Sequence, residues 1–272
     1  MTAADAPTAT RLLYETIQFS PYVWDGDHDL VRQVEAAADA GFDGIGIDIW
    51  SIDHHLSSGR TIDEIAAALA RTGLPCVELQ ALVIHEEATT LQDIERFAAL
   101  ADVLRPEVVM VGMGGTDDAR VDLLRRAGEV VGQGGARLAV EFIPVGEVRD
   151  IATTLDVTRR AGGPVGVCLD TWHFFRGTDT WADLDGLPGE EIAHVQFDDA
   201  PPLVSDDLMS EMVHRRVLPG EGEFDLDRFC QEVRAKGYRG PVAVEIISAP
   251  LRTSGFDVFA RQVLAAARPY WP

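Results

Sequence analysis

The stretch VGVCLDTWHFFRG, residues 165–177, decides how this chain is read. Val165, Val167 and Leu169 are apolar, and only small residues and a cysteine separate them. A near-continuous apolar run of this kind fits a strand covered on both faces of a parallel sheet. The run stops on Asp170, and His173 follows three residues later. Burying a lone carboxylate costs free energy unless it is paired or bound to a cation. A core strand that ends this way therefore points to chemistry at its C-terminal end.

Working outward, the same unit recurs along the whole chain. Strands are expected at 15–20, 44–48, 75–82, 108–112, 137–142, 165–170, 192–197 and 241–247. A helical pattern follows each one. The first shows Leu30, Val31, Val34, Ala37 and Ala38 on one face and stops at Gly41. Another opens on Thr61 and Glu64 in capping-box spacing and closes at Gly73. Eight βα units in 272 residues predict an α/β chain folded as a single (β/α)8 TIM barrel. Residues 1–272 read as one domain, with 1–12 expected to be a flexible N-terminal extension. A doubly wound sheet is the alternative, but no G-x-G-x-x-G follows the first strand. The longest stretch without a clear pattern, 198–225, is expected to be a functional loop.

Composition narrows the function classes. The 45 acidic and 23 basic residues give a net charge of −22, which opposes binding to nucleic acid or to an anionic membrane. Neither partner is expected. Cys76, Cys168 and Cys230 show no paired spacing, so neither a disulfide framework nor a zinc ribbon is expected. The opening residues lack a basic region followed by an apolar one, and no apolar run is long enough to span a bilayer. A cytoplasmic location is expected.

In a TIM barrel the chemistry sits at the C-terminal ends of the strands. Strand five ends on Glu141, strand six on Asp170 and strand eight on Glu245, while strand seven carries His194 and Gln196. Taken singly, each has an ordinary reading: an arginine partner for Glu141, an N-cap for Asp170, a satisfied amide for Gln196, an ion pair for Glu245. Taken together, three carboxylates at one mouth would repel, and a cation relieves that. An oxygen-rich donor set predicts one divalent metal ion, Mn2+, Mg2+ or Co2+. His173 is expected to reach substrate from the loop after Asp170. His85 lies just past strand three at the same rim, and Trp24, Trp50 and Trp172 lie just past strand ends. Of these, His85 and Trp172 are taken as candidate substrate contacts. His54 and His55 follow strand two, and at least one is expected to be exposed.

Five motifs then resemble the xylose isomerase-like TIM-barrel superfamily: AVEFIP with Glu141, LDTWHFFRG with Asp170 and His173, HVQFDDAP with Gln196, RRVLPGEGEFDL with Arg216, and VAVEIIS with Glu245. That superfamily holds sugar isomerases, ketose 3-epimerases, inosose and 3-dehydroshikimate dehydratases, and endonuclease IV. The resemblance implies Glu141, Asp170, Gln196 and Glu245 as metal ligands. Gln196 departs from the ketose epimerases, which carry His-x-His where this chain reads HVQ, and His194 then becomes a packing or supporting residue. The resemblance also implies proton removal beside a metal-polarised carbonyl, with Glu141 and Glu245 as acid and base. His173 would bind or protonate a substrate oxygen, and Arg216 would bind a substrate hydroxyl or carboxylate. The expected activity is isomerisation or epimerisation of a small polyhydroxylated carbonyl compound. The alternative is dehydration of a 3-dehydroshikimate- or inosose-like ketone. A repair nuclease fits poorly with the charge of −22. A homo-oligomer is compatible with all of these readings.

Overall fold

The computed structural model describes residues 9–272. Eight parallel strands close into a barrel in chain order: β1 (Leu12–Glu15), β2 (Gly44–Asp48), β3 (Cys76–Ile84), β4 (Val108–Met113), β5 (Arg137–Glu141), β6 (Val165–Asp170), β7 (Ile192–Phe197) and β8 (Val242–Val244). Closure is through β1 and β8, where Leu12, Leu13 and Tyr14 pair with Val242, Ala243 and Val244. Every strand is followed by at least one helix. The largest apolar cluster fills the layer between strands and helices. Two smaller clusters lie inside the barrel. Leu13, Val77 and Ala243 meet from β1, β3 and β8, and Ala81, Val108, Met110, Ala139, Cys168 and Ala193 meet from β3 to β7. The barrel is thus a packed core and not a pore. All three cysteines are free and buried. Among the described residues no helix is long and apolar enough to cross a membrane.

The first strand lies earlier than its apolar pattern suggested. β1 covers Leu12–Glu15, and Thr16–Phe19 forms a 3-10 turn. The polar residues of TIQF explain this. Gln18 donates to the Glu15 carbonyl (2.8 Å) and accepts the Ile246 N–H (2.8 Å), while Thr16 accepts the Asp48 N–H (2.9 Å). Their side chains satisfy backbone groups that a strand would have paired. At the other closing strand, only Val242–Val244 is laddered of the expected 241–247. Of the extension expected at 1–12, residues 1–8 lie outside the described residues. The rest is tied down: Thr10 donates to the Pro272 carbonyl (3.1 Å), Arg11 pairs with Glu107 (2.6 Å) and Leu12 begins β1.

The stretch 198–225 is more ordered than its sequence suggests. It contains a helix, Leu208–His214, and two antiparallel bridges, Asp199 with Val217 and Arg215 with Ser248. Asp199 gathers the segment. One of its carboxylate oxygens accepts the N–H groups of Ala200 (2.8 Å) and Phe224 (3.2 Å), and the other accepts those of Gly220 (3.0 Å) and Gly222 (2.9 Å). A Cβ at Gly222 would fall on that carboxylate.

Gly46 serves a similar purpose inside the barrel. It sits in β2 beside β1, and a Cβ there would collide with the carboxylate of Glu15. Gly46→Ala is therefore expected to destabilise the protein by about 1–3 kcal/mol, as overpacking in a filled core does. Denaturant unfolding checks this, and an unchanged midpoint would mean that Glu15 is not held where the barrel places it.

Candidate active site

The strand ends bring the expected residues to one mouth. Glu141 is the last residue of β5, Asp170 the last of β6, and Glu245 directly follows β8. Asp170 and Gln196 are register partners across β6 and β7. All four side chains are buried.

Asp170 does two jobs with its two oxygens. Its Oδ1 accepts the backbone N–H of His173 (2.8 Å), capping the short helix Thr171–Arg176. Its Oδ2 lies 3.2 Å from Arg216. The cap turns His173 inward. This corrects the expectation that His173 reaches out from a loop. It is buried in that helix, with Nε2 3.4 Å from Glu141 Oε1. Glu141, Asp170 and His173 each offer one donor atom, all within 4.8 Å of one another.

Arg216 is the hub. The same guanidinium nitrogen reaches Asp170, the Glu245 carboxylate (3.0 Å), the Glu245 carbonyl (3.0 Å) and Asp198. Expected to bind substrate, Arg216 instead spends its Nη1 on protein oxygens, though its side chain also lines the mouth. Asp198 escaped the sequence reading. The signal was the HVQFDDAP motif, but nothing in it said which of two adjacent aspartates would meet Arg216. Gln196 donates to Glu245 Oε1 (3.4 Å), and its Oε1 accepts from Cys168 (3.2 Å).

The electrostatics follow from this crowding. Burial, together with Glu141 and Asp170, pushes Glu245 well above the ordinary carboxylate range, and Arg216 opposes the rise. Burial pushes Asp198 up likewise, again against Arg216. Burial lowers His173, but Asp170 and Glu141 outweigh it and raise the imidazole overall. Three buried carboxylates thus meet one guanidinium, and among the described residues His173 Nδ1 has no hydrogen-bond partner. Carboxylates in excess of the cation that balances them are the oxygen donors a hard divalent cation requires. The residues fit such an ion.

Above this floor lies a cavity of about 460 Å³. Glu141, His173, Arg216 and Glu245 line it, and His85 stands at its exposed rim. Trp172, expected to touch substrate, does not line it. It is buried behind His173 in an edge-to-face contact at 5.5 Å. Trp50 lines the cavity instead, stacked on Tyr22 at 4.3 Å. Of the two histidines after β2, His54 is exposed and His55 buried.

A second polar group lies inside the barrel. His194 Nε2 is 2.8 Å from Glu78 Oε2, and both side chains are fully buried. Glu15 accepts from Gln80 (2.6 Å), a residue that also lines the cavity. Burial, with Glu78 and Glu245 nearby, pushes Glu15 well above the ordinary carboxylate range.

The family model described as "Xylose isomerase-like TIM barrel" matches residues 34–263. The 3-dehydroshikimate dehydratase of Pseudomonas aeruginosa is 31% identical over 244 residues, covering 84% of this chain and 38% of the relative. The chain therefore spans well under half the length of that relative. The inosose isomerase of Halalkalibacterium halodurans is 24% identical over 258 residues, covering 88% of this chain and 89% of the relative. Among solved structures, a xylose isomerase-like TIM barrel/4-hydroxyphenylpyruvate dioxygenase fusion protein superposes with a TM-score of 0.82 at 26% identity, covering 95% of this chain and 42% of that one.

The raised Glu15 makes stability depend on pH. In the folded state it keeps its proton above the pH at which the unfolded chain releases it, so its contribution is full below the ordinary carboxylate pKa and is lost as pH rises. Glu15→Gln keeps an oxygen for Gln80 and removes the ionisation. Its stability is expected to fall less steeply with pH, by up to about 1.4 kcal/mol per pH unit. Melting or denaturant curves from about pH 5 to about pH 9 check this. Parallel slopes for wild type and variant would show that Glu15 does not hold that proton.

Proposed function

Because the chain belongs to the xylose isomerase-like TIM barrel family, we propose that it is a divalent-metal-dependent enzyme that removes a proton next to the carbonyl of a small hydroxy-carbonyl compound, with loss of a β-hydroxyl as water. One observation carries the reading. Glu141, His173, Arg216 and Glu245 line the floor of one cavity at the C-terminal mouth, with Asp170 buried against them. The relatives named as 3-dehydroshikimate dehydratases support dehydration.

Glu141, Asp170, Gln196 and Glu245 would hold the cation. When bound, it polarises the substrate carbonyl and offsets the negative charge that develops on its oxygen. The protein's own groups do the proton work. Arg216 fixes Glu245 through both its carboxylate and its backbone carbonyl, so this glutamate is aimed at the α-carbon as base. His173, raised by Asp170 and Glu141 against its burial, is the acid that gives a proton to the departing hydroxyl.

Isomerisation or epimerisation, the first expectation from the sequence, becomes the second reading. It needs a carboxylate on each side of the substrate. Glu141 and Glu245 both line the cavity, from the ends of β5 and β8, and the inosose isomerase match runs nearly the full length of both chains. The deciding experiment incubates the metal-loaded protein in D2O with hydroxy ketones, beginning with 3-dehydroshikimate and an inosose. Water loss is the expected outcome. Deuterium at the α-carbon without water loss would favour the isomerase, and no reaction across a broad panel by fully metal-loaded protein would sink both.

The division of roles is tested by metal content. His173→Asn is expected to lower kcat by about 10²–10⁴-fold while keeping most of the metal. Asp170→Ala should lose both. Metal loss from the His173 variant equal to that of Asp170→Ala would put the imidazole among the ligands.

A further inference from the structure

β3 is irregular where it meets the cavity. It pairs with β4 in one register at Leu79 with Val109 and in another at Leu82 with Val111, so Gln80 and Ala81 together stand against the single residue Met110. Neighbours in a regular strand point to opposite faces, and a bulge of this kind re-aims them. Here both Gln80 and Ala81 line the cavity. β3 and β7 are opposite one another in the closed barrel, so Gln80 bounds the cavity on the side away from the cluster around Arg216.

The amide of Gln80 is held from behind. Its Nε2 donates to Glu15 Oε2 (2.6 Å). Glu15 lies within hydrogen-bonding reach of Glu78, and His194 Nε2 is 2.8 Å from Glu78 Oε2. The Oε1 atoms of both glutamates are buried and meet no donor among the described residues. A proton on Glu15 directed at Glu78 satisfies both oxygens at once. Glu15 Oε2 can then only accept, so the amide NH2 of Gln80 faces it and the amide oxygen faces the other way. That oxygen has no donor among the described residues and opens onto the cavity. Resting on the proton-removal reading above, we infer that Gln80 is a specificity-determining residue. Its amide oxygen accepts a hydrogen bond from a substrate hydroxyl on the side of the molecule away from the reacting carbonyl. Glu15, Glu78 and His194 are positioning residues that keep the oxygen turned to the cavity. A substrate with hydrogen in place of that hydroxyl leaves a buried acceptor unpaired and loses binding.

A matched pair of probes tests this on the Mn2+-loaded full chain: scyllo-inosose, and the analogue that lacks only the hydroxyl on the ring carbon opposite the carbonyl. Both keep the α- and β-hydroxyls that the proposed reaction needs. Calorimetry reads binding, and NMR in D2O reads α-proton exchange and water loss. Wild type is expected to bind the inosose at least about tenfold more tightly than the analogue. Gln80→Met, of similar length but without the amide, should abolish that preference. Glu15→Gln can donate to Glu78 and still accept from Gln80, so it should retain the preference. Glu15→Met should narrow it by weakening the inosose alone, whereas a merely structural loss would weaken both probes alike. Should Glu15→Met not fold, the other two variants decide. No preference in wild type, a preference that survives in Gln80→Met, or binding of neither probe overturns the inference. Loss of the preference in Glu15→Gln overturns the positioning chain. A preference that depends on Gln80 but comes without α-proton exchange supports the assignment and counts against the proton-removal reading. Exchange with both probes at equal affinity does the reverse.

Discussion

One buried guanidinium holds the mouth of this barrel together. Arg216 reaches Asp170 at the end of β6, Asp198 just past β7 and Glu245 just past β8. Removing one partner from a buried ion cluster leaves uncompensated charge, which is far costlier than any single contact is favourable. The three strand ends are therefore coupled through one side chain. That side chain comes from none of them, but from a segment that leaves β7 and returns before β8.

Getting Arg216 there is the work of Asp199. Its carboxylate gathers four backbone N–H groups from both ends of the stretch 199–224, and its carbonyl accepts the N–H of Val217 (2.8 Å). The residue next to Arg216 is thus pinned to the residue next to Asp198. The two adjacent aspartates divide the labour: one meets the guanidinium, and the other sets the backbone that delivers it.

The barrel was legible in the sequence because its strands are apolar on both faces, and because glycine and capping residues punctuate its helices. The strand-end acids were legible because a carboxylate is out of place in such a run. Four features were hidden. β1 was displaced because Gln18 and Thr16 satisfy backbone groups through their side chains, which no propensity registers. His173 was placed on a loop because the cap that turns it inward uses the second oxygen of a residue already assigned a role. Trp172 and Trp50 could not be told apart, since each follows a strand end and only packing decides which one faces the cavity. The hub at Arg216 depends on contacts separated by 18 to 46 positions, and local pattern does not reach that far.

The clasp at Asp199 also bears on how such a barrel can change over time. The segment between its anchor points includes the exposed Leu203, Val204 and Met209, and its backbone is tied to the barrel at its ends, by Asp199 at the base and by Arg252 at the Val213 carbonyl (3.0 Å). Residues can be gained, lost or exchanged in the outer arc while the guanidinium stays seated. Because Met212 and Val213 of that same arc line the cavity, drift there reshapes what the mouth admits without disturbing the groups that act on it. Acceptance and reactivity are thus inherited as separable modules within a single chain.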